Sequence, residues 1–363
     1  MARKVAVDKS LFLAGIGLTL FGLVMIYSAS SVIALERYGS AHHFLLRQVA
    51  AAIIGLMGMY IAMRIDYRKL LTPPIAYAAV GLSTLLLGAV LLMPAINNVH
   101  RWIRIGPIQI QPSEIAKLAL LIYLAYRLGQ RENRINDTVG TLLPISLVVG
   151  QLAFLVYLGP DLGTAGLCVA LALILLFLAG MRWRYLVVMC GACVGALGLL
   201  ILQAPYRIRR IVAFLDPGQD PLGAGFQVRQ SLVAVASGGV HGTSLGESRQ
   251  KMFFLPEPHT DFIFSVIGEE LGLIGATAVI VVFGVLFWRG MVAAFSAPDR
   301  GGYYLGIGIT LCLVLQAMLN IGVALGLCPT KGVPLPFLSY GGSSLVVSLV
   351  SLGVLLNISQ HSS

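Results

Sequence analysis

The chain has 363 residues, of which 58% are hydrophobic and only 11% are charged. Because a soluble domain carries about 25% charged residues, this composition excludes an ordinary globular protein. The net charge of +10 does not indicate nucleic-acid binding, since the basic residues are dispersed between apolar runs and are not gathered on one polar face.

Apolar runs recur along the whole chain, and a run of about 20 residues is long enough to cross a hydrocarbon core of about 30 Å as a helix. The sequence therefore predicts an all-α polytopic membrane protein, with a single transmembrane domain over residues 1–363 and no room for a soluble domain. The predicted spans, ten in number, cover about residues 11–34, 45–63, 71–93, 110–126, 139–158, 162–180, 185–204, 262–288, 302–327 and 341–358.

The first apolar run follows a basic segment, Met1 to Lys9, and superficially resembles a signal peptide. Its apolar part, residues 11–34, is longer than the roughly 7 to 15 residues of a secretory core. We therefore interpret this run as an uncleaved first membrane span.

The distribution of Lys and Arg predicts the topology. With the amino terminus inside, the cytoplasmic segments hold 13 of the 25 basic residues and the short outward segments hold six. The remaining six lie in one long connection, residues 205–259 between spans seven and eight, and long loops translocate largely regardless of charge. Both termini are therefore predicted to be cytoplasmic, and the long loop is predicted to be extracytoplasmic.

The outward segment before span four, Arg101-Trp-Ile-Arg-Ile-Gly-Pro-Ile-Gln-Ile-Gln-Pro-Ser113, combines cations with an indole. Trp102 suits stacking on a sugar face as well as anchoring in the membrane interface. Glu114 and Lys117 follow at a three-residue spacing, which places opposite charges side by side on a helix. We predict that they pair, in a structural or proton-linked role, because charges at membrane depth are candidates for function.

The long loop opens with three arginines, Arg207, Arg209 and Arg210, which form a compact cationic cluster in the sequence. Such a cluster suits a phosphate group, either of a specific diphosphate or of anionic lipid headgroups.

The same loop closes with Pro256-Glu-Pro-His-Thr-Asp-Phe-Ile-Phe264, which puts Asp261 directly before a long apolar run. Helix-terminus N–H groups favour an ionised acid there, so Asp261 is either a general base or a helix cap. Glu269 and Glu270 lie about 12 Å further along the same helix, and we predict a structural or proton-linked role for them.

The last outward segment, residues 329–344, contains Lys331, a tyrosine and several hydroxyls among glycines and prolines. This polarity is dense for a simple helix cap, so Lys331 is a further candidate cation. Gln316 and Asn320, at i and i+4 inside span nine, are predicted to hydrogen-bond a neighbouring helix.

Across essentially its whole length the chain resembles the SEDS family (shape, elongation, division and sporulation) of bacterial membrane proteins. The resemblance rests on Tyr27-Ser-Ala-Ser30, Arg101-Trp-Ile103, Gln111-Pro-Ser-Glu-Ile-Ala-Lys117, Pro160-Asp-Leu-Gly-Thr164, Gln250 to Phe264 and Pro334-Leu-Pro-Phe-Leu-Ser-Tyr-Gly-Gly-Ser-Ser344. The segments Gly268-Glu-Glu-Leu-Gly272 and Thr330-Lys-Gly332 are more similar to the division branch, FtsW, than to the elongation branch, RodA. Gly159 replaces the glutamine that many members have before Pro-Asp-Leu-Gly, which makes the role of Asp161 less certain.

The resemblance implies an enzyme of the bacterial cytoplasmic (inner) membrane that polymerises lipid II, the undecaprenyl-diphosphate-linked disaccharide pentapeptide, into peptidoglycan strands at the septum. The family's essential aspartate falls on Asp261, its loop tryptophan on Trp102, and its intramembrane acid–base pair on Glu114 and Lys117. We assign Asp261 as the base and Arg101, Trp102, Arg207, Arg209, Arg210 and Lys331 to substrate binding.

The resemblance also implies partners: a class B penicillin-binding protein, which is a transpeptidase, and other membrane proteins of the division machinery. No cofactor is indicated with certainty, although a divalent cation, Mg²⁺ or Mn²⁺, would suit a diphosphate leaving group. Two other functions fit the sequence. The chain is a lipid II flippase if the buried charges line a path across the membrane, or a division scaffold if its loops serve recognition only.

Overall fold

The computed structural model describes residues 7–94, 99–105, 108–216, 223–248, 250–251, 255, 258–330 and 332–361. Within these ranges the chain forms thirteen α-helices and one small hairpin. Each predicted span corresponds to a long helix: α1 (Lys9–Tyr38), α2 (His43–Arg64), α4 (Pro73–Leu91), α5 (Pro112–Gln130), α6 (Leu143–Leu158), α7 (Leu162–Leu178), α8 (Trp183–Leu202), α11 (Ile263–Phe295), α12 (Arg300–Ala324) and α13 (Gly342–Gln360). The three shorter helices are α3 (Tyr67–Leu70), α9 (Pro205–Leu215) and α10 (Ala224–Gly238).

Length and apolar composition qualify eight of the described helices to cross a membrane, counting α6 with the helical turn Thr138–Leu142 before it. Helix α7 is apolar but shorter, with 17 residues. Helix α5 has 19 residues and is amphipathic, because it carries Glu114 and Lys117 on its buried side. The polytopic helical fold is confirmed, and the number of ten crossings stays a prediction.

Helix α1 is continuous for 30 residues and runs through Ser28-Ala-Ser30, where a signal peptide would have its small-residue cleavage site. Asp8 caps its first turn by accepting a hydrogen bond from the Leu11 backbone N–H. The side chains of Ser28 and Ser30 are buried in the bundle. The continuous helix agrees with the interpretation of this run as a membrane span.

Helices α2 and α13 approach each other closely through glycines. A Cβ atom built at Gly353 would lie 2.5 Å from the carbonyl oxygen of Met59, and one at Gly55 would lie 2.6 Å from Leu349 Cδ1. Small residues at helix interfaces allow this approach, and van der Waals packing then drives association within lipid.

The hairpin departs from the all-α prediction. Strand β1 (Ile103–Ile105) pairs antiparallel with β2 (Ile108–Ile110), with Ile103 opposite Ile110. The cause is visible in the sequence, because isoleucine alternates with Arg104 and Gln109 at the period of two that favours a strand. The hairpin lies between α4 and α5 and brings Arg101 and Trp102 to the end of the bundle where Asp261 lies.

The 33-residue helix α11 is broken at Gly272, which has φ of 65° and ψ of −163°. Only glycine adopts this conformation readily, and a Cβ there would also lie 2.4 Å from the backbone nitrogen of Gly242. Residues 239–244 of the long loop satisfy the interrupted backbone: Thr243 N–H donates to Glu269 O at 3.0 Å, and Leu273 N–H donates to Gly239 O at 2.9 Å. The loop is therefore built into this helix.

The long loop contains α9 and α10. The apolar stretch Gln230 to Ala236 belongs to α10. This helix packs on the first half of α11, where a Cβ at Gly238 would lie 2.0 Å from the Gly268 carbonyl oxygen. Much of the loop is therefore ordered by contact with the bundle.

Candidate functional site

Asp261 lies immediately before α11, but it does not cap that helix. The N-cap residue is Phe262, and it has no side-chain cap hydrogen bond. The helix-cap interpretation of Asp261 is therefore wrong. The structure places Asp261 in a turn, residues 258–262, in which it is half-buried.

Three successive backbone carbonyls of this segment are held by the last part of the chain. Tyr340 N–H donates to His259 O at 2.8 Å, and the Ser339 hydroxyl donates to Thr260 O at 2.6 Å. The third carbonyl, that of Asp261, accepts a hydrogen bond of 2.9 Å from Asn320 Nδ2 of α12. The backbone of Asp261 is therefore fixed by residues that follow it by 59 or more positions.

Arg101 is the cation that the structure brings to Asp261. A Cβ atom built at Gly332 would lie 3.2 Å from Arg101 Nη1 and 3.6 Å from Asp261 Oδ2, so both side chains border the same small space over a glycine. Arg101 is oriented by hydrogen bonds from Nε to Gly159 O, at 3.1 Å, and from Nη2 to Pro160 O. Lys331, which precedes Gly332, lies outside the described residues.

Trp102 follows Arg101 directly and is half-buried at the start of the hairpin. Asp161, whose role the sequence left uncertain, caps α7 by accepting a 3.1 Å hydrogen bond from Thr164 N–H. Asp161 is buried and its other oxygen lies 3.5 Å from Gln111 Nε2. Asp161 thus fixes the loop that orients Arg101.

The three arginines that open the long loop lie on α9 and differ in burial. Arg207 is buried: its guanidinium donates to Leu200 O at 2.6 Å and to the Tyr157 hydroxyl at 3.2 Å. Arg210 is exposed and donates to Thr330 O at 3.3 Å, which brings it beside the segment that contains Gly332. Arg209 is exposed. Arg207 and Arg210, three residues apart on α9, share one side of the helix, because their guanidinium carbons lie 5.2 and 5.9 Å from the centroid of the same Tyr206 ring.

His259, the other titratable side chain near Asp261, is buried between rings. Its ring centroid lies 4.4 Å from that of Phe44 and 5.4 Å from that of Tyr340. Burial, together with the positive charge of Arg37, lowers the pKa of His259 to about 4, so the imidazole is neutral at pH 7. His259 packs the segment and does not compete with Asp261 for a role as an exposed base.

Glu114 and Lys117 form the predicted ion pair. Lys117 Nζ lies 2.9 Å from Glu114 Oε1, and both side chains are almost completely buried. Lys117 also donates to Gln316 Oε1 on α12. Gln316 Nε2 in turn donates to Pro334 O at 2.9 Å. Gln316 and Asn320 therefore bond the backbone of the segment between α12 and α13, and the prediction that they bond a neighbouring helix is wrong for Asn320 and only half right for Gln316.

Glu269 and Glu270 hold the long loop against the bundle. Glu270 is fully buried and lies 2.9 Å from Lys251 Nζ, while the Ser28 hydroxyl of α1 lies 2.6 and 2.7 Å from its two oxygens. Glu269 accepts hydrogen bonds from the Ser248 hydroxyl and from Gln250 N–H. The sequence did not identify Lys251 and Ser28 as partners; the only available signal was a lysine 19 residues before an intramembrane acid.

A resident metal site is not formed by the described residues. Within those ranges, no three His, Cys, Asp or Glu side chains gather closely enough to hold an ion. Mg²⁺ often binds through one or two carboxylates and the phosphates of a substrate, and Asp261 has Arg101 as its neighbour. A divalent ion shared between Asp261 and a substrate diphosphate stays a proposal, and no step below depends on it.

Comparisons with known proteins cover the whole of this architecture. Residues 8–363 match the family model of cell cycle proteins that is named for FtsW, RodA and SpoVE. The chain is 42% identical to a probable peptidoglycan glycosyltransferase FtsW of Geobacter sp. (strain M18), over 99% of this chain and 98% of that one. It is 41% identical to stage V sporulation protein E of Bacillus subtilis (strain 168), over 99% of each chain.

Two solved structures are similar over nearly the full length. One is a chain from a study of the structural coordination of polymerization and crosslinking by a peptidoglycan synthase complex, with a TM-score of 0.80, 30% identity and 98% of each chain covered. The other is the rod shape determining protein RodA of Thermus thermophilus, with a TM-score of 0.72, 30% identity, and 98% of this chain and 97% of that chain covered.

Proposed function

Because the chain belongs to the family of cell cycle proteins that comprises FtsW, RodA and SpoVE, we propose that it is a peptidoglycan glycosyltransferase. The observation that carries the proposal is the meeting of Asp261 and Arg101 over Gly332. An acid and a cation that border the same small space suit a reaction in which a hydroxyl loses a proton and a diphosphate leaves. The names of the relatives indicate the reaction class, glycosyl transfer, and Asp261 and Arg101 are groups that could perform it.

The proposed substrate is lipid II, and the reaction is an inverting glycosyl transfer. The 4-hydroxyl of the acceptor GlcNAc loses its proton to the Asp261 carboxylate, and its oxygen attacks the anomeric carbon of the donor strand. The bond from that carbon to the diphosphate oxygen breaks, and undecaprenyl diphosphate leaves with the electron pair. A sugar hydroxyl is a poor nucleophile, so a positioned base contributes about 10² to 10⁴-fold.

Cations near Asp261 would offset the charge that develops on the diphosphate. Among the described residues, Arg101 borders the same space as Asp261, and Arg210 reaches the same region through Thr330. Lys331 and Arg209 stay in the proposal as further cations. For Arg207 we propose a structural role, holding α9 against α6 and α8, and no contact with the diphosphate. Its guanidinium already donates hydrogen bonds to Leu200 O and the Tyr157 hydroxyl.

A lipid II flippase is the alternative from another class. Its case rested on the buried charges Glu114, Lys117, Glu269 and Glu270. In the structure Glu114 is paired with Lys117, and Glu270 with Lys251, at 2.9 Å each. Charges that neutralise one another hold helices together and do not line an open path, which supports the enzyme over the transporter.

The setting follows from the same argument. The positive-inside distribution supports a topology with both termini in the cytoplasm and Asp261 at the outer face of the bacterial inner membrane. A saccharide would then be in water while its polyprenyl tail stays in lipid. The partner is proposed to be a class B penicillin-binding protein with other septal membrane proteins, by likeness to the synthase complex.

The decisive experiment uses purified protein in liposomes with lipid II and a partner transpeptidase. Glycan polymer and lipid translocation are measured separately in the same vesicles. Polymer formation that depends on this chain supports the proposal, whereas translocation without polymer would favour the flippase. A protein that produces neither but still supports septum formation in cells would favour the scaffold.

Gly332 gives a prediction about the space between Arg101 and Asp261. Replacing Gly332 by alanine puts a methyl group 3.2 Å from Arg101 Nη1, so the guanidinium must shift. We expect polymerisation to slow about tenfold, because small displacements at a reacting centre are costly. Gly150→Ala is the control, since a Cβ there meets no atom within 4 Å. Equal rates for the two variants would show that this space is not used.

A further inference from the structure

Asn320 connects Asp261 to another part of the site through a single amide group. Its Nδ2 lies 2.9 Å from Asp261 O and 2.9 Å from Val333 O, and both are backbone carbonyls. The two hydrogens of the amide therefore bond two segments that are more than 70 residues apart in the sequence. In space, only the amide group of Asn320 lies between them. One of these segments carries Asp261, and the other carries Gly332.

The arrangement is unfavourable for Asn320 itself. Its side chain is 2% exposed, and Oδ1 has no hydrogen-bond partner in the described part of the chain. Leaving a buried acceptor unsatisfied costs about 1–3 kcal/mol. Local stability alone therefore does not explain why an amide occupies this position. A role in setting the spacing between the Asp261 segment and the Val333 segment explains both of its donated hydrogen bonds.

One turn earlier on α12, Gln316 makes the corresponding contact with the next residue of the same loop. Its Nε2 donates to Pro334 O at 2.9 Å, while its Oε1 accepts from Lys117. Lys117 is held by Glu114 at 2.9 Å. A continuous line of polar contacts thus runs from the buried ion pair on α5, through α12, to the two carbonyls beside the site.

We propose that Asn320 is a positioning residue for Asp261, and that the Glu114–Lys117 pair supports it by fixing Gln316 and the loop at Val333 and Pro334. The inference rests on the proposed function. In this proposal the Glu114–Lys117 pair has a structural role, and it does not carry a proton. Because Asp261 acts on the attacking hydroxyl, loss of the hydrogen bonds that position it reduces turnover more than it reduces substrate binding.

The test compares Asn320→Leu with a matched variant, Asn357→Leu. Asn357 on α13 is also buried; its Nδ2 donates to Met63 O at 2.8 Å, and its Oδ1 accepts from Tyr67 N–H at 2.9 Å. These bonds hold the connection between α2 and α3, at Met63 and Tyr67, and not the Asp261 segment. Both substitutions remove a buried amide of the same size, and the fall in unfolding temperature should be at least as large for Asn357→Leu, because Asn357 Oδ1 also accepts a hydrogen bond whereas Asn320 Oδ1 accepts none within the described residues.

We expect kcat for Asn320→Leu to fall about 100-fold while KM stays within about threefold, because misplacing a catalytic group by about 1 Å has an effect of that order. Asn357→Leu should retain kcat within about twofold per folded molecule, as expected for a change remote from the chemistry. Gln316→Leu should lie between them. If Asn320→Leu fails to fold, Asn320→Ser keeps one donor and is expected to lower kcat about tenfold.

Two results overturn the proposal: equal kcat losses for the Asn320 and Asn357 variants, or a loss for Asn320 that appears in KM alone. Asp261→Asn is measured in the same assay to separate this failure from that of the proposed function. If Asp261→Asn keeps its rate, the base assignment is wrong. If Asp261→Asn is inactive while the Asn320 variants match the Asn357 control, only the positioning role is wrong.

Discussion

Asp261→Asn should lower the rate of glycan polymerisation by about 10² to 10⁴-fold, the contribution expected of a general base. Asparagine has nearly the same shape as aspartate but cannot accept the proton of the attacking hydroxyl. The backbone hydrogen bond from Asn320 Nδ2 to residue 261 does not involve the side chain, so the segment should keep its position. Initial rates with lipid II and the partner transpeptidase check the prediction.

Asp299→Asn is the matched control for this substitution. Asp299 accepts a 2.8 Å hydrogen bond from Gly302 N–H and caps α12, and it also accepts from Tyr67 and Arg68. Asparagine caps helices about as well as aspartate, so only stability should change, and by a small amount. A rate near the wild-type value for Asp261→Asn, with Asp299→Asn equally active, would remove Asp261 from the mechanism.

Lys251→Met is expected to destabilise the protein by about 3–5 kcal/mol, because it leaves a buried carboxylate without its counter-ion. Glu270 is 0% exposed, and Lys251 Nζ lies 2.9 Å from its Oε1. The Ser28 hydroxyl still donates to Glu270, but a neutral donor does not replace a charge. Because Lys251 belongs to the long loop, the loop should also detach from α1 and α11. The unfolding temperature in detergent and proteolysis of the loop measure the two effects.

Two further variants separate the buried charge from the loss of a side chain. In Lys251→Met with Glu270→Leu no charge remains, and we expect most of the stability to return, since apolar residues often replace a buried pair without cost. Arg300→Met removes a partner from the exposed pair with Glu132, and such pairs contribute about 0–1 kcal/mol. A double variant that is less stable than Lys251→Met would contradict the explanation.

Of the two buried ion pairs, Glu114–Lys117 could be predicted from the sequence and Lys251–Glu270 could not. Glu114 and Lys117 are three residues apart on one helix, so their pairing follows from helix geometry and was predictable. Lys251 and Glu270 also lie near each other in the sequence, but an irregular loop and half of a broken helix separate them. No helix or strand periodicity in the sequence places Lys251 beside Glu270.

The amino-acid sequence was sufficient to predict a helical membrane protein. Its apolar runs are long enough to cross a bilayer, and within lipid a helix satisfies all the backbone hydrogen bonds of such a run. Its motifs also determined the family, and Asp261 could be singled out as an acid at the end of an apolar run. These conclusions depend on residues that are adjacent or lie within one helix.

The surroundings of that acid became known from the folded structure and not from the sequence. Arg101 meets Asp261 over Gly332, and Asn320 bonds the backbone of Asp261, although 59 to 160 residues separate these partners from it. The structure also broke α11 at Gly272 and buried Arg207 against Tyr157. Hydrophobic periodicity reports which face of a helix is buried, whereas contacts between distant segments depend on how all the helices pack, and that packing is a property of the whole chain.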